Sequence, residues 1–332
     1  MATRDVGTTQ RPPSTALLTI DSEDRFNTWN EKRIAAADPT AYNFSPYDFS
    51  LVRDAPLVNG YMTRLAVSEV VFPWVYPNIN DKTNAIQIDY IIAPNPQTTT
   101  FIRLDTGFAN PSQLAGALQL VINAAIPGLG FTITYGADAL PRFTYSVGAG
   151  NSIAFRPMAY GNTYGGVQWT YPNTDKQLFD LLGFTALNAV PANKGIGQAT
   201  FCQAVRYIDI VSPQLTANQG LIDATSQPVG NSALCRLYLG DGNTPTQNID
   251  VNSADFTPPG CAPFVIYRQF AQPKQIQWNA IQPINGRIQF QVLDDNGSVL
   301  PAVYTVQPTG EPTGTTYFNY TDWSMSMLLT EN

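Results

Sequence analysis

Histidine is absent from the 332-residue chain. Without an imidazole, the sequence excludes Ser-His-Asp and Cys-His nucleophilic sites and histidine-bound metals, which leaves carboxylates as the main acid–base groups. Cysteine is scarce, since the chain has only Cys202, Cys235 and Cys261. An odd number of cysteines at this spacing matches neither a zinc site nor a disulfide framework. We therefore expect three buried thiols and neither a metal nor a cofactor.

Charge is also low. Charged residues make up 13% of the chain, against about 25% in an average globular protein. The formal net charge is −7 and no run of Lys or Arg exceeds two residues, so the electrostatic footprint of a nucleic-acid-binding protein is missing. Uncharged surfaces of this kind are usually covered by neighbouring subunits, although a Gln/Asn/Thr-rich soluble surface is an alternative.

Long hydrophobic runs are missing. No apolar stretch approaches the roughly 20 residues that cross a bilayer, and the first residues lack the hydrophobic core of a signal peptide. We expect no direct contact with nucleic acid or membrane, and synthesis in a cytosolic compartment. Residues 1–16 are polar, contain Pro12 and Pro13 and show no periodicity. They are predicted to form an N-terminal arm that is either disordered or ordered by a partner.

Alternation of apolar and polar residues with period two dominates the rest of the chain. Ile288, Phe290 and Val292, for example, oppose Gln289 and Gln291, which indicates a strand with one buried and one amide-rich face. The same pattern predicts strands in TRLAVSEVVF, NAIQIDYII, AVRYIDIV, ALCRLYL, FVIYRQF, QIQWNAI and DWSMSMLL. Many short strands divided by turns that use 26 Pro and 24 Gly predict a mainly β fold, either a sandwich or a jelly roll.

The turn DDNG, residues 294–297, contains the Asn-Gly pair that is favoured in tight hairpins. In such a turn both central residues need positive φ angles. We therefore expect a two-residue hairpin turn after the strand RIQFQV.

The middle of the chain is different. Residues 110–126 predict a helix, with Asn110 as the N-cap, Pro111 at the first helical position and Gln113 completing a capping box. The strand FIRL precedes this helix, and the strands FTITYG, RFTYSVG and SIAFRPM follow it. Residues 98–199 are accordingly predicted to be a small α+β domain inserted into a β chain.

The segment RLDTGF contains the Asp-Thr-Gly triplet of aspartic proteases, with Asp105 as the candidate catalyst. Two such aspartates must share a proton, and the chain has one triplet, so a homodimer would have to supply the second. The partner signature, LLG at residues 181–183, follows a predicted helix with Thr174 as its cap and Gln177 completing the helix start. Gly183 then ends a helix, and Asp105 is predicted to end a β-to-α connection. The alternative to this structural interpretation of Asp105 is a homodimeric aspartic protease.

Two aromatic groups allow two interpretations each. Phe72, Trp74 and Tyr76 lie in the stiff, proline-containing segment VVFPWVYPNIN, which either packs over the core or forms part of a subunit interface. The same choice exists in the segment GNTYGGVQWTYP. Its aromatic residues either pack in the core or contact a ligand such as a glycan or receptor: Tyr164, Trp169 and Tyr171.

Five segments, in order along most of the chain, resemble the penton, or minor capsid, proteins of virophages and polinton-like viruses. These segments are LLTIDSEDRF, NGYMTRLAVSEVVFPWVYPNIN, PSQLAGALQLVINAA, YIDIVSPQLTANQGLIDATS and FVIYRQFAQPKQIQWNAIQPINGRIQFQVLDDNG. The resemblance implies a single jelly-roll β-sandwich, assembled from residues 17–97 and 200–332, with 98–199 as an outward inserted domain.

The same resemblance implies a structural capsid protein without enzymatic activity, located in the virion. It would stand as a homopentamer at each fivefold vertex, surrounded by the double-jelly-roll major capsid protein of the same virus. A head-to-tail interface that closes at fivefold rotation is the expected mode of assembly. The alternative from another class is a host-attachment module that binds glycans through the inserted domain.

Overall fold

A computed structural model describes residues 15–26, 45–58, 62–216, 233–240, 257–277, 284–301, 303–306, 315–318 and 321–331. The first eleven strands are β1 (Thr15–Asp21), β2 (Asp48–Val58), β3 (Met62–Trp74), β4 (Ala85–Ile91), β5 (Thr98–Arg103), β6 (Thr132–Tyr135), β7 (Phe143–Ser146), β8 (Ser152–Arg156), β9 (Thr163–Tyr164), β10 (Val167–Gln168) and β11 (Lys194–Ile196). The remaining strands are β12 (Tyr207–Val211), β13 (Ala233–Tyr238), β14 (Phe264–Gln269), β15 (Gln275–Gln277), β16 (Ile284–Leu293), β17 (Val303–Val306), β18 (Thr315–Phe318) and β19 (Ser324–Glu331). In the described ranges the helices are α1 (Pro111–Ala125), α2 (Leu178–Leu181) and α3 (Pro213–Thr216), and a 3-10 turn covers Ser22–Arg25.

Two antiparallel sheets form a sandwich. The β1 sheet has the order β1-β19-β3-β14, and β15 pairs with β3 beyond the end of β14. The β2 sheet has the order β2-β16-β12-β13. Successive sandwich strands alternate between the two sheets, except for β12–β13 and β14–β15, which share a sheet. This is the strand order of a jelly roll. The predicted mainly β, jelly-roll fold class is confirmed.

Aromatic rings from both sheets meet in the core. Phe49 of β2 stacks on Phe290 of β16, with ring centroids 5.6 Å apart, and lies 5.9 Å from the ring of Trp323. Trp323, which directly precedes β19, lies in turn 6.3 Å from Phe72 of β3. As predicted from the alternation in RIQFQV, the apolar side chains of β16 point inward and are buried: Ile288, Phe290 and Val292.

Between β3 and β12 the chain leaves the sandwich for residues 75–206, which are here called the insertion. It contains the three-stranded sheets β5-β4-β8 and β11-β7-β6, the hairpin β9-β10, and the helices α1 and α2. Strand β4 pairs with β5 and β8 and with no sandwich strand that the structure describes. The insertion is longer than the predicted domain, and the domain limits 98 and 199 within it remain a prediction.

Helix α1 begins as the sequence predicts. Asn110 accepts a hydrogen bond from Gln113 N at 2.8 Å, and the Gln113 side chain accepts one from Asn110 N at 3.0 Å. The buried face of the helix, which includes Leu114, Leu118 and Ile122, packs on β6 and β5. These interactions hold the β11-β7-β6 sheet in place.

Two local predictions were wrong. In the turn after β16 only Gly297 has a positive φ, 79°, because Asp294 accepts hydrogen bonds from Asn296 N and Ser298 N through its side chain. The turn is thus one residue longer than a two-residue hairpin. Helix α2 is shorter than predicted, since its N-cap is Gln177 and not Thr174.

The three cysteines are buried, as predicted. Burial raises the pKa of Cys261 to about 12 and raises the pKa values of Cys202 and Cys235 as well. Within the described ranges, no helix combines the length and the apolar character needed to cross a membrane.

Candidate functional site

The three aromatic residues at the exit of β3 lie inside the molecule. Phe72 is 1% exposed, Trp74 2% and Tyr76 7%. Trp74 and Tyr76 contact each other edge to face at 5.9 Å. This placement favours the core-packing interpretation of the segment and does not support a role for these rings in a subunit interface.

The aromatic residues of the second group belong to a small satellite core. Trp169 is buried beside Ala85 and Met158, and the half-buried Tyr164 and Tyr171 pack against it. The Tyr164 hydroxyl donates to Gln87 Oε1 at 3.2 Å and accepts from Ala159 N at 3.0 Å. Burial raises the pKa of Tyr171 to about 12. Packing again accounts for these residues, and the predicted glycan contact through them is not supported by their positions.

Asp105 is exposed in the connection between β5 and α1. Gly107, in the same triplet, forms a two-way backbone bridge with Ile79, with N–O distances of 2.8 and 3.1 Å. Leu181 ends α2, and Gly183 follows it with a φ of 66°. The LLG triplet therefore ends a helix, as the structural interpretation predicted. Asp105 lies in the β-to-α connection, but nearer to the end of β5 than to the N-cap Asn110.

The outer face of the β1 sheet carries exposed apolar side chains. Leu17 of β1 pairs in register with Leu328 of β19, and both are exposed. On β14, Val265 is 59% exposed and Tyr267 51%. Most of a soluble surface is uncharged, but large apolar side chains grouped on one sheet face are typical of contact surfaces.

The outer face of the β2 sheet has a different character. Arg236 of β13 donates from Nε and from Nη2 to the two carboxylate oxygens of Asp209 in β12, and both N–O distances are 2.8 Å. The guanidinium also lies 3.8 Å above the Tyr207 ring, and Tyr207 contacts the exposed Tyr238 at 5.8 Å. The paired carboxylate raises the pKa of Arg236, so the group stays charged. The face thus presents two tyrosines around one fixed cation.

A charged cluster joins the insertion to the sandwich. The buried Asp295 carboxylate, in the turn after β16, accepts from Arg206 Nε at 2.9 Å and lies 3.4 Å from Lys176 Nζ. Lys176 lies within the insertion, and Arg206 is its last residue, directly before β12. Nearby, Lys82 pairs with Asp175 at 3.0 Å. The two pairs to Asp295 connect the insertion to one end of the sandwich, and the Lys82–Asp175 pair lies within the insertion.

Asn78 forms a second junction. Its Nδ2 donates to Ala109 O at 2.9 Å, to Cys202 O at 3.1 Å and to Cys261 Sγ at 3.4 Å. Sequence reasoning missed this residue, because nothing in VVFPWVYPNIN distinguishes its side chain. It also missed the Arg236–Asp209 pair, although the alternation in ALCRLYL indicates that Arg236 points outward.

No protein-family model matches the chain, and no curated protein matches it. Among solved structures, it is similar to the crystal structure of the mavirus penton protein, with 10% sequence identity and a TM-score of 0.45, over 95% of this chain and 99% of that one. It is also similar to the cryo-EM structure of the Sputnik virophage, with 12% identity and a TM-score of 0.37, over 96% and 98% of the two chains.

The first of these is a penton protein and the second a virophage, and the five segments of the sequence resemble penton proteins of virophages and polinton-like viruses.

Proposed function

We propose that the chain is a structural protein of a viral capsid, and that it forms a homopentameric ring at the fivefold vertices. The observation that supports this most directly is the strand order of its two sheets, which is that of a single jelly roll. Because a jelly roll can host several functions, the proposal also depends on the five segments that resemble penton proteins. Those segments run along α1 and along strands of both sheets.

The two outer faces of the sandwich suit a ring. A closed head-to-tail ring needs two different surfaces on opposite sides of each subunit. Since the sheets pack face to face, their outer faces point in opposite directions. One face offers Val265 and Tyr267, and the other offers Tyr207, Arg236 and Tyr238. Aromatic residues and Arg are enriched in interface cores, so we infer that these faces meet between neighbouring subunits.

On this proposal the protein resides in the virion and has no enzymatic activity. Its partners are its own copies and the double-jelly-roll major capsid protein of the same virus, and it contacts neither nucleic acid nor membrane directly. Residues 1–14, which lie outside the described part of the chain, would form most of the arm and reach beneath neighbouring capsomers. Thr15 and Ala16 belong to β1.

The test is the solution mass of the purified chain, by size exclusion with light scattering. The chain mass is 36.3 kDa, and a particle of five times that mass would support the ring. A dimer would contradict it and favour the protease alternative. If the chain is monomeric, cryo-EM of particles made with the major capsid protein decides, and absence of the chain from the vertices would refute the proposal.

A further inference from the structure

One face of the β11-β7-β6 sheet carries a regular array of six side chains. The strand register places Thr132, Ser146 and Lys194 in one row across the sheet. It places Thr134, Thr144 and Ile196 in the next row. A pocket of 490 Å³ lies over these two rows.

The hydroxyl groups of the array are paired across the strands. Thr132 Oγ1 lies 2.7 Å from Ser146 Oγ, and Thr134 Oγ1 lies 2.9 Å from Thr144 Oγ1. Each hydroxyl has one donor hydrogen and two acceptor lone pairs, so a pair consumes one donor. The Thr134–Thr144 pair therefore still offers a donor and several acceptors to a ligand. In the other pair Thr132 Oγ1 also lies 3.4 Å from Ser146 O, so that pair chiefly offers acceptors.

The opposite face of the sheet is core, which makes the array rigid. Ile133, Phe143 and Tyr145 are buried beneath it. Gly195, between the two outward residues of β11, has the Tyr145 ring so close that a Cβ would lie 2.4 Å from it. Only glycine fits there without displacement, so β11 is seated directly on this ring.

The β11 end of the array supplies a cation and an apolar group. Lys194 is exposed, and no ion pair of Lys194 is found within the described residues. Ile196 is exposed beside it. Neighbouring strands lie about 4.8 Å apart and alternate residues about 6.8 Å apart, so the array covers roughly 10 by 7 Å, an area that a disaccharide can cover.

We infer that this array is a binding site for a saccharide that carries an anionic group, either a carboxylate or a sulfate. The hydroxyl pairs bind sugar hydroxyls, which also both donate and accept. The Lys194 ammonium pairs with the anion through a charge-assisted hydrogen bond, and Ile196 packs on an apolar face of the sugar. This role goes beyond the structural one, since each subunit carries a whole site and needs no ring to form it.

The test uses the full chain and saturation-transfer NMR. Sialyllactose presents the carboxylate, a heparin-derived tetrasaccharide presents sulfate, and lactose is the neutral control. We expect binding of one or both anionic probes, and which probe binds identifies the anion. Lys194→Ala should weaken binding about tenfold. The matched control is Lys274→Ala, in the bend between β14 and β15 of the sandwich, and it should leave binding unchanged.

The hydroxyl rows are tested by Thr134→Val with Thr144→Val, which keeps the side-chain shape and removes one pair. This variant should also lose affinity, whereas Thr163→Val in the β9-β10 hairpin should not. Failure of the wild-type chain to bind either anionic probe would overturn the inference. Equal binding of lactose, or unchanged affinity in Lys194→Ala, would overturn it as well. The solution mass measures the ring separately, so the two proposals can fail independently.

Discussion

Arg236 and Asp209 form a two-point ion pair on the outer face of the β2 sheet, with both N–O distances at 2.8 Å. The Asp209 side chain is buried, while Arg236 is partly exposed. Both carboxylate oxygens therefore depend on one guanidinium, which the Tyr207 ring also supports. The pair orders the face that we propose for contact between subunits.

Replacing Arg236 with Ala should leave the Asp209 carboxylate buried without its cation. We expect the free energy of unfolding to fall by about 2 kcal/mol, as for other half-buried charges that lose a partner. Urea denaturation measures the change. The control Arg142→Ala breaks the exposed pair with Asp138 and should have almost no effect. An equal loss in both variants would show that burial of Asp209 is not the cause.

The raised thiol pKa values predict how stability changes at alkaline pH. An unfolded Cys has a pKa near 8.5, whereas in the fold Cys261 has a pKa of about 12 and that of Cys202 is also raised. Between these two pKa values the folded chain binds more protons than the unfolded chain. The thiols therefore make their full contribution to the free energy of unfolding below about pH 8.5, and this contribution is lost as the pH rises toward 12.

Urea denaturation between pH 7.5 and 10.5 measures this decline, and Cys261→Ala should reduce its slope. The same protonation should keep the native thiols unreactive toward Ellman's reagent at pH 9. Rapid modification of the folded chain would contradict the expected burial.

Deleting residues 1–14 should leave a folded protein that no longer enters capsids, because β1 begins at Thr15 and the arm is proposed to contact neighbouring capsomers. Circular dichroism reports the fold and co-assembly with the major capsid protein reports incorporation. A deletion through Asp21 is the control for damage to the fold, since it removes the whole of β1, which pairs with β19 along its length. Normal incorporation of the shorter deletion would refute the role of the arm.

Val265→Asp should prevent ring closure without unfolding the chain. The side chain is exposed in the free subunit, so the substitution costs little there, but an unpaired charge in a buried contact is strongly unfavourable. Light scattering should show a loss of oligomer at an unchanged unfolding midpoint. Leu140→Asp, at an exposed position of the insertion, is the matched control. A Val265→Asp variant that still assembles would place the contact elsewhere.

Asp105→Asn tests the protease alternative. For a structural protein, the substitution at this exposed position should change neither stability, beyond about 0.5 kcal/mol, nor capsid incorporation. Incubation of the wild-type chain with a library of peptides should yield no cleavage products. Cleavage that disappears in the Asp105→Asn variant would establish the enzyme and remove the proposed function.

Sequence patterns predicted the elements that depend on interactions between residues close together in the chain. Asn110 and Gln113 are three residues apart, so their reciprocal hydrogen bonds could be predicted from the sequence, and the alternation around Phe290 determined which face is buried. The extra residue in the 294–297 turn could not be predicted in this way. There the Asp294 side chain competes for backbone donors, and Asn296 does not need a positive φ.

The candidate surfaces were harder to predict, because they depend on contacts between distant segments. The sequence showed that Trp74 and Trp169 lie in stiff or turn-rich segments, but whether such rings are covered depends on strands elsewhere in the chain. The array on β6, β7 and β11 likewise depends on contacts between distant segments of the chain. Thr134 and Lys194 are unremarkable in sequence, and only the strand register brings them together.

The hydrogen bond from Asn78 to Cys202 O joins residues that are 124 positions apart. The insertion therefore leaves and re-enters the sandwich at nearly the same point. A foreign domain whose own termini lie close together could replace residues 79–201 without separating β3 from β12. The sandwich could thus serve as a scaffold for displaying grafted antigens, and during evolution it could exchange one inserted segment for another while its own strand order stays unchanged.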